Sequence, residues 1–339
     1  MLLAIAAAQK IISMFLLILV GAVCYRAKLL NQATKEGMAQ FLMMVVIPCL
    51  IFNSFQREMV ASQTAGLLIA VGLSVVTHIA GILISKALLR KGDDRAIERF
   101  SCVFSNCAFI GIPLAQGLYG TEGVFYITAY ITVYNLLVWT YGVVMIDGGA
   151  SFRKPDAGAK GSGGSLQEPG TSLQEPGTSF WDSLKKLANP NLAAVALGIV
   201  SYVCGIRLPE MVAEPIRFLG DMNTPMAMVV TGISLASSDI LKVLRKRRIY
   251  LICALRQLLV PSAGVLLFRA AIGAGILYVD PVVQGTTILA AACPVGAIGT
   301  MFAIRYHKND AYAAEIMGVS TLTCILTIPA VMFLFQSLG

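Results

Sequence analysis

The chain is 339 residues long, 57% hydrophobic and 13% charged, with a mean hydropathy of +0.77. This excludes an ordinary soluble domain, which carries roughly 25% charged residues. The net charge of +8 does not indicate a nucleic-acid partner, because Lys and Arg fall in short clusters between apolar runs; their anionic neighbour is the lipid bilayer.

Apolar runs near 5–25, 36–56, 64–88, 98–118, 123–146, 190–207, 213–237, 249–272, 283–304 and 312–336 each approach the roughly 20 residues that cross a bilayer. The predicted fold is therefore an all-α polytopic membrane protein of ten transmembrane helices. The first run is full span length and is followed by Arg26 and Lys28, so it reads as a retained helix rather than a cleavable signal. Of the 26 Lys and Arg residues, 20 fall in one alternate set of loops, five in the other, and Arg256 lies inside the eighth span. The positive-inside rule then places the basic loops in the cytoplasm and both termini outside, in a multi-pass cell-membrane protein.

One polar stretch interrupts the series. Residues 147–188 are rich in Gly, Ser, Pro, Lys and Glu and contain a tandem repeat, Ser165 to Thr171 followed by Ser172 to Thr178. Such a segment cannot bury a core and reads as a cytoplasmic linker, with a short interfacial helix expected at 180–187. It divides the chain into residues 1–146 and 189–339, each with five spans. Five is odd, so two similar halves have opposite topology, the inverted-repeat architecture of many secondary transporters. Tyr25 follows Gly21 by four residues, as Tyr202 follows Gly198, and Pro48 and Pro113 answer Pro225 and Pro294.

Spans four and nine combine proline with glycine and polar residues in mid-span: Asn106, Gly111 and Pro113 in one, Pro294, Gly296 and Gly299 in the other. If each helix breaks there, Pro113 and Pro294 begin new half-helices. The unpaired amides that follow, with the positive dipole end, form an anion site at the bilayer midplane. Asn106, both donor and acceptor, serves either as a ligand contact or as interhelical glue. The ionisable candidates for ion coupling are His78, centred in span three, and Asp221, just before Pro225. Arg256 and Glu315 read instead as side chains that reach the cytoplasmic interface.

The pattern Asn106-x-x-x-x-Gly111-Ile112-Pro113-Leu114-x-x-Gly117-x-Tyr119-Gly120 resembles the fourth span of the auxin efflux carrier family, which includes plant PIN auxin carriers and bacterial malate and malonate permeases. The likeness extends to Pro48, to Asp221 with Met226, Ala227, Met228, Gly232 and Ala236, and to Pro294 and Gly296 followed by Phe302, Ala303 and Tyr306. It implies two inverted five-helix repeats whose broken fourth and ninth helices cross, with a substrate site at Asn106, Pro113 and Pro294. It also implies that Asn135, four residues before Trp139, stands where plant carriers have a binding glutamine, and that the protein forms a homodimer. The acidic residue and lysine one turn apart that plant members carry in span three are missing; His78 is the nearest polar substitute.

These readings converge on a secondary transporter for a small organic anion working by alternating access, the neighbouring alternative being a sodium-coupled symporter or cation/proton antiporter of similar shape. Antiporters usually place a carboxylate at the crossing, and none stands near either proline. An enzyme is not expected, since there is no G-x-S-x-G, H-E-x-x-H or Walker A pattern and the two histidines are 229 positions apart. Eight cysteines without a C-x-x-C pair imply no metal and no cofactor.

Overall fold

The computed structural model describes residues 2–147, 190–237, 243, 246–273 and 280–337; the linker, its tandem repeat and the expected interfacial helix lie outside them. The described residues are helical, with a single isolated bridge between Ser105 and Val295. Six helical segments are long and apolar enough to cross a membrane: Gln9–Arg26, Gln32–Ser54, Ala61–Leu88, Cys107–Asp147, Arg247–Gly273 and Asp310–Ser337. Two shorter apolar helices, Pro190–Val203 and Pro281–Ala292, accompany them.

Helix α1 (Leu2–Arg26) shows the sorting a bilayer imposes. Ile11, Met14 and Ile18 are buried against the protein, while Ile12, Leu16, Leu19 and Val23 project outward, so apolar side chains occupy both faces. Asn31 caps α2 (Gln32–Phe41) by accepting the Thr34 amide at 2.9 Å. A π-turn, Leu42–Val46, joins α2 to α3 (Ile47–Ser54), and α4 (Ala61–Leu88) follows. Helix α5 (Arg95–Val103) is followed by a π-turn, Cys107–Gly111, that runs directly into α6 (Ile112–Leu137). Within α6 the backbone reverses at Gly120 (φ 64°, ψ −150°), a conformation side-chain-bearing residues avoid, and this separates the fourth apolar run from the fifth. A third π-turn, Val138–Gly142, leads to α7 (Val143–Asp147).

In the second half α8 (Pro190–Val203) precedes α9 (Glu210–Asp221) and α10 (Asn223–Ala236). Helix α11 (Arg247–Ala254) continues through a π-turn, Leu255–Leu259, into α12 (Val260–Gly273). Asp280 caps α13 (Pro281–Ala292), its carboxylate accepting the Val282 amide at 2.7 Å. Helices α14 (Ile298–Arg305) and α15 (Asp310–Ser337) are the last of the described elements.

Three of the four described π-turns share one cause. A proline follows the turn by two residues in each: Pro48 after Val46, Pro113 after Gly111, Pro261 after Leu259. Proline offers no N–H to the carbonyl four residues back and its ring crowds that oxygen. Widening the preceding turn relieves both, with the amides of Ile47, Ile112 and Val260 bonding five residues back to Leu42, Cys107 and Leu255. The turn at Val138–Gly142 has no proline, and nothing in the structure explains it.

This accommodation corrects the expectation that Pro113 opens a new half-helix. Pro113 lies buried in a continuous helical run, and the chain breaks earlier, at 104–106. The second interruption is at Pro294 itself, between Ala292 and Ile298, so Pro294 sits in the break rather than starting α14.

The helices form two packed groups. Helix α1 lies along α10, while α3 packs on α8 and α9. The close approach of α1 and α10 depends on Gly21 and Gly232, since a Cβ at either would overlap backbone of Val229 or Ile18. In the second group α4 packs on α5, α6, α12 and α13, and α15 on α11, α13 and α14. The groups meet where α1 touches α15 and α6, and where α10 touches the π-turn 107–111.

The basic loops after α4, before α11 and after α14 meet at one end. Arg248 holds the buried Glu98 through one guanidinium edge, Nε and Nη2, Tyr312 donates to the same carboxylate at 3.2 Å, Lys246 pairs with Glu315 at 2.6 Å, and Asn309 donates to Asp94 at 3.2 Å. At another junction Gln56 donates to Ser201 at 2.7 Å and accepts the Leu208 amide at 3.2 Å, drawing together the segments after α3 and α8.

Candidate functional site

The two interrupted helices pair at their breaks. The Asn106 amide donates to Pro294 O at 2.7 Å and the Gly296 amide to Phe104 O at 3.2 Å, an antiparallel bridge one residue wide. Four helix ends therefore converge here: the C-terminal ends of α5 and α13, and the starts of the 107–111 turn and α14. At the first start the amides of residues 107–109 bond to no carbonyl of their own helix, whereas at α14 the Gly299 and Thr300 amides turn back onto Gly296 O at 3.2 Å and Ala297 O at 3.1 Å. Gly296 permits the contact, because a Cβ there would sit 3.1 Å from Ser105 O and 3.3 Å from the Tyr134 hydroxyl. Gly111 plays the same part beneath it, 3.1 Å from Ile127 and 3.3 Å from Cys293 Sγ by the same construction.

Asn106 is half-buried; its carbonyl accepts the Ile110 and Gly111 amides at 3.1 and 3.3 Å, and its side chain makes no capping bond. Asn135 is buried one helix further out and donates to Ile131 O at 2.9 Å, within its own helix. Its neighbour Tyr134 is the residue that reaches Gly296, and it also packs edge-on against Phe104 at 5.8 Å. Trp139 packs edge-on against Phe302 at 5.2 Å, beyond the second break.

Of the two coupling candidates, His78 lies beside the junction and Asp221 does not. His78 is buried, its Nδ1 2.7 Å from Ser74 O, its ring 4.7 Å from Tyr130 and 6.4 Å from Phe104. A carbonyl only accepts, so Nδ1 carries the proton and, in the neutral ring, Nε2 keeps its lone pair; Nε2 has no hydrogen-bond partner. Asp221 is exposed at the end of α9, a helix that packs against α3 and the π-turn 42–46.

Sequence reasoning missed the π-turn that supports both breaks. Arg256, expected to reach the cytoplasmic interface, is only 1% exposed, and its Nη1 lies 3.5 and 3.4 Å from the carbonyls of Cys102 and Val103 at the end of α5. Gln257 donates to Ser320 O at 2.6 Å and accepts from Thr323 Oγ1 at 2.6 Å, while Ser320 Oγ accepts the Val295 amide at 3.0 Å. Adjacent residues of one turn thus reach α5 and, through Ser320, the second break. The only available signal was Pro261 five and four residues downstream, and it pointed to a kink rather than to a rotation of side chains. Among the described residues no three His, Cys, Asp or Glu side chains cluster as a metal site.

Comparison with known proteins agrees with this architecture. A family model described as "Membrane transport protein" matches residues 6–332. The chain is 22% identical over 332 residues to an uncharacterized transporter of Methanothermobacter thermautotrophicus, covering 95% of this chain and 96% of that one. It is 23% identical over 232 residues to auxin efflux carrier component 8 of Arabidopsis thaliana, covering 61% of this chain and 62% of that carrier. A family match over nearly the whole chain, on a helical frame with membrane-length spans, identifies this protein as a membrane transporter rather than an enzyme, belonging to the auxin efflux carrier family.

Proposed function

We propose that the protein carries a small organic anion across the membrane by alternating access, as ten spans in two inverted five-helix repeats whose fourth and ninth members cross at their breaks. The observation that carries this reading is the pairing of Asn106 with Pro294 and of Gly296 with Phe104. Two helix starts, with their positive dipole ends, share one buried junction, and the one at 107–109 offers amides unbonded within its own helix, an arrangement that favours a carboxylate. The grouping of helices supports the repeat: α1 against α10 and α8 against α3 are the same contact related by exchange of the halves. The group bearing both breaks would move against the other, carrying the junction from one membrane face to the other. The gathered basic loops would lie in the cytoplasm and both termini outside.

Uptake of labelled mono- and dicarboxylates into proteoliposomes, under imposed proton or sodium gradients, tests the reading. Saturable uptake of an acid that Asn106→Ala weakens by about tenfold is expected, the loss of one or two hydrogen bonds to a charged group. Uptake that never saturates would point to a channel. Saturable uptake indifferent to Asn106→Ala would remove Asn106 from the site.

A further inference from the structure

We propose that Arg256 is the charged half of the anion site, receiving a carboxylate side-on through its Nε and Nη2. This rests on the anion-carrier reading and gives its site a fixed positive charge.

Arg256 stands nine residues into the span that begins at Arg247, about 14 Å along the helix and so deep in the membrane's apolar layer. A guanidinium at that depth is retained only with a partner. None of the ion pairs among the described residues includes it; these join Arg217 to Glu210 and Glu214, Lys246 to Glu315, and Arg248 to Glu98. Its hydrogen bonds to the backbone go to the two carbonyls at the end of α5, both reached by Nη1 and both long, and its side chain also meets that of Tyr130, a neutral partner. That interaction suits a cation at a helix C-terminus, yet it leaves Nε and Nη2 buried without a partner.

Those two nitrogens form one edge of the guanidinium, the edge that matches the two oxygens of a carboxylate. The protein uses the same edge elsewhere: Arg248 donates Nε to Glu98 Oε1 at 2.8 Å and Nη2 to Oε2 at 2.7 Å. Around Arg256 the neighbours are neutral. His78, Tyr130, Tyr134 and Cys107 surround it, and the Ser105 hydroxyl at the break meets only the neutral Tyr130 and Cys107 side chains. A capping role alone would need one nitrogen and would be served by lysine; a buried fork with its edge free calls for an anion from outside the chain.

The test compares the unmodified protein with Arg256→Gln and Arg256→Lys in two assays. The first is proteoliposome uptake of labelled malonate, succinate and acetate. The second is thermal stabilisation of the detergent-solubilised protein by the same salts against chloride at matched ionic strength, with malonamide, succinamide and acetamide as uncharged analogues. Arg256→Gln should weaken the effective acid by about 100-fold, and Arg256→Lys should keep part of the affinity because it keeps the charge but not the fork. The amides should compete with the acids at least about tenfold more weakly. Stabilisation lost in Arg256→Gln without uptake in any form would uphold the site and sink the carrier reading. Unchanged affinity in Arg256→Gln would overturn the site and leave the carrier standing. If neither variant folds, the unmodified protein still decides, since equal competition by acid and amide, or no stabilisation by any acid, overturns the proposal.

Discussion

Arg248 and Glu98, 150 positions apart in sequence, are joined by two short parallel bonds that tie the start of α11 to α5. Glu98 is 4% exposed whereas Arg248 keeps much of its side chain in water, so the carboxylate is the member that depends on the pair. Arg248→Ala should lower stability by about 2 kcal/mol, less than for a fully buried pair because Tyr312 still donates to Glu98 and water replaces part of the guanidinium. Arg248→Lys should recover only part of it, lacking the bidentate edge. Thermal unfolding in detergent measures both; equal stability of Arg248→Ala and the unmodified protein would show that the pair contributes nothing.

Gly296→Ala forces the Ser105 carbonyl and the Tyr134 hydroxyl to give by a few tenths of an ångström. The expected outcome is a stability loss of about 1–2 kcal/mol with a much larger loss of transport, because the strained contact is the bridge between the breaks. Initial uptake rates normalised to folded protein in the membrane separate the two effects.

The contact between α1 and α10 should be far less forgiving. Gly232→Val sets side-chain atoms into the backbone of Ile18 and should sharply reduce folded yield, whereas Gly37→Ala in α2, with open space around it, should be neutral or stabilising by about 0.5–1 kcal/mol. Fluorescence-detected size-exclusion profiles of the two variants side by side check this contrast; a well-folded Gly232→Val protein would refute the packing argument.

Pro261→Ala restores an N–H at the position that widens the 255–259 turn. The turn can then close to ordinary α-helix, rotating Arg256 and Gln257 away from the ends of α5 and the Ser320 contact. The half-saturation concentration for the transported acid should rise by about tenfold at normal expression. An unchanged value would mean that packing, not the proline, sets the turn.

The membrane-length helices were legible because a bilayer leaves a one-dimensional signature: apolar length bounded by charge. The break at Pro294 was legible for a local reason as well, since Pro294 and Gly296 sit together where the helix ends. The break at 104–106 was not. Phe104, Ser105 and Asn106 carry no strong breaking signal, and the opening is sustained by bonds to Pro294 and Gly296 from the other half of the chain. Pro113 misled because a proline breaks a helix only when the preceding turn cannot widen, and here it does. Arg256 was misread for a related reason: its partners are backbone carbonyls about 150 positions away, and an arginine in an apolar run looks the same whether it points to the interface or to the interior. Tyr134 rather than Asn135 faces Gly296, a choice between neighbours on a helix that composition alone leaves open.

A π-turn is an α-helix into which one residue has been inserted, and that gives the turns before Pro48, Pro113 and Pro261 a consequence for how such chains vary. Each marks a place where a single codon can be lost while the span survives, with everything beyond it swung by about 100°. A one-residue gap at 255–259 between this chain and a relative would therefore not be a trivial length difference. It would re-aim the side chains of the whole turn, and two proteins alike in every helix could differ there in what they present to the junction.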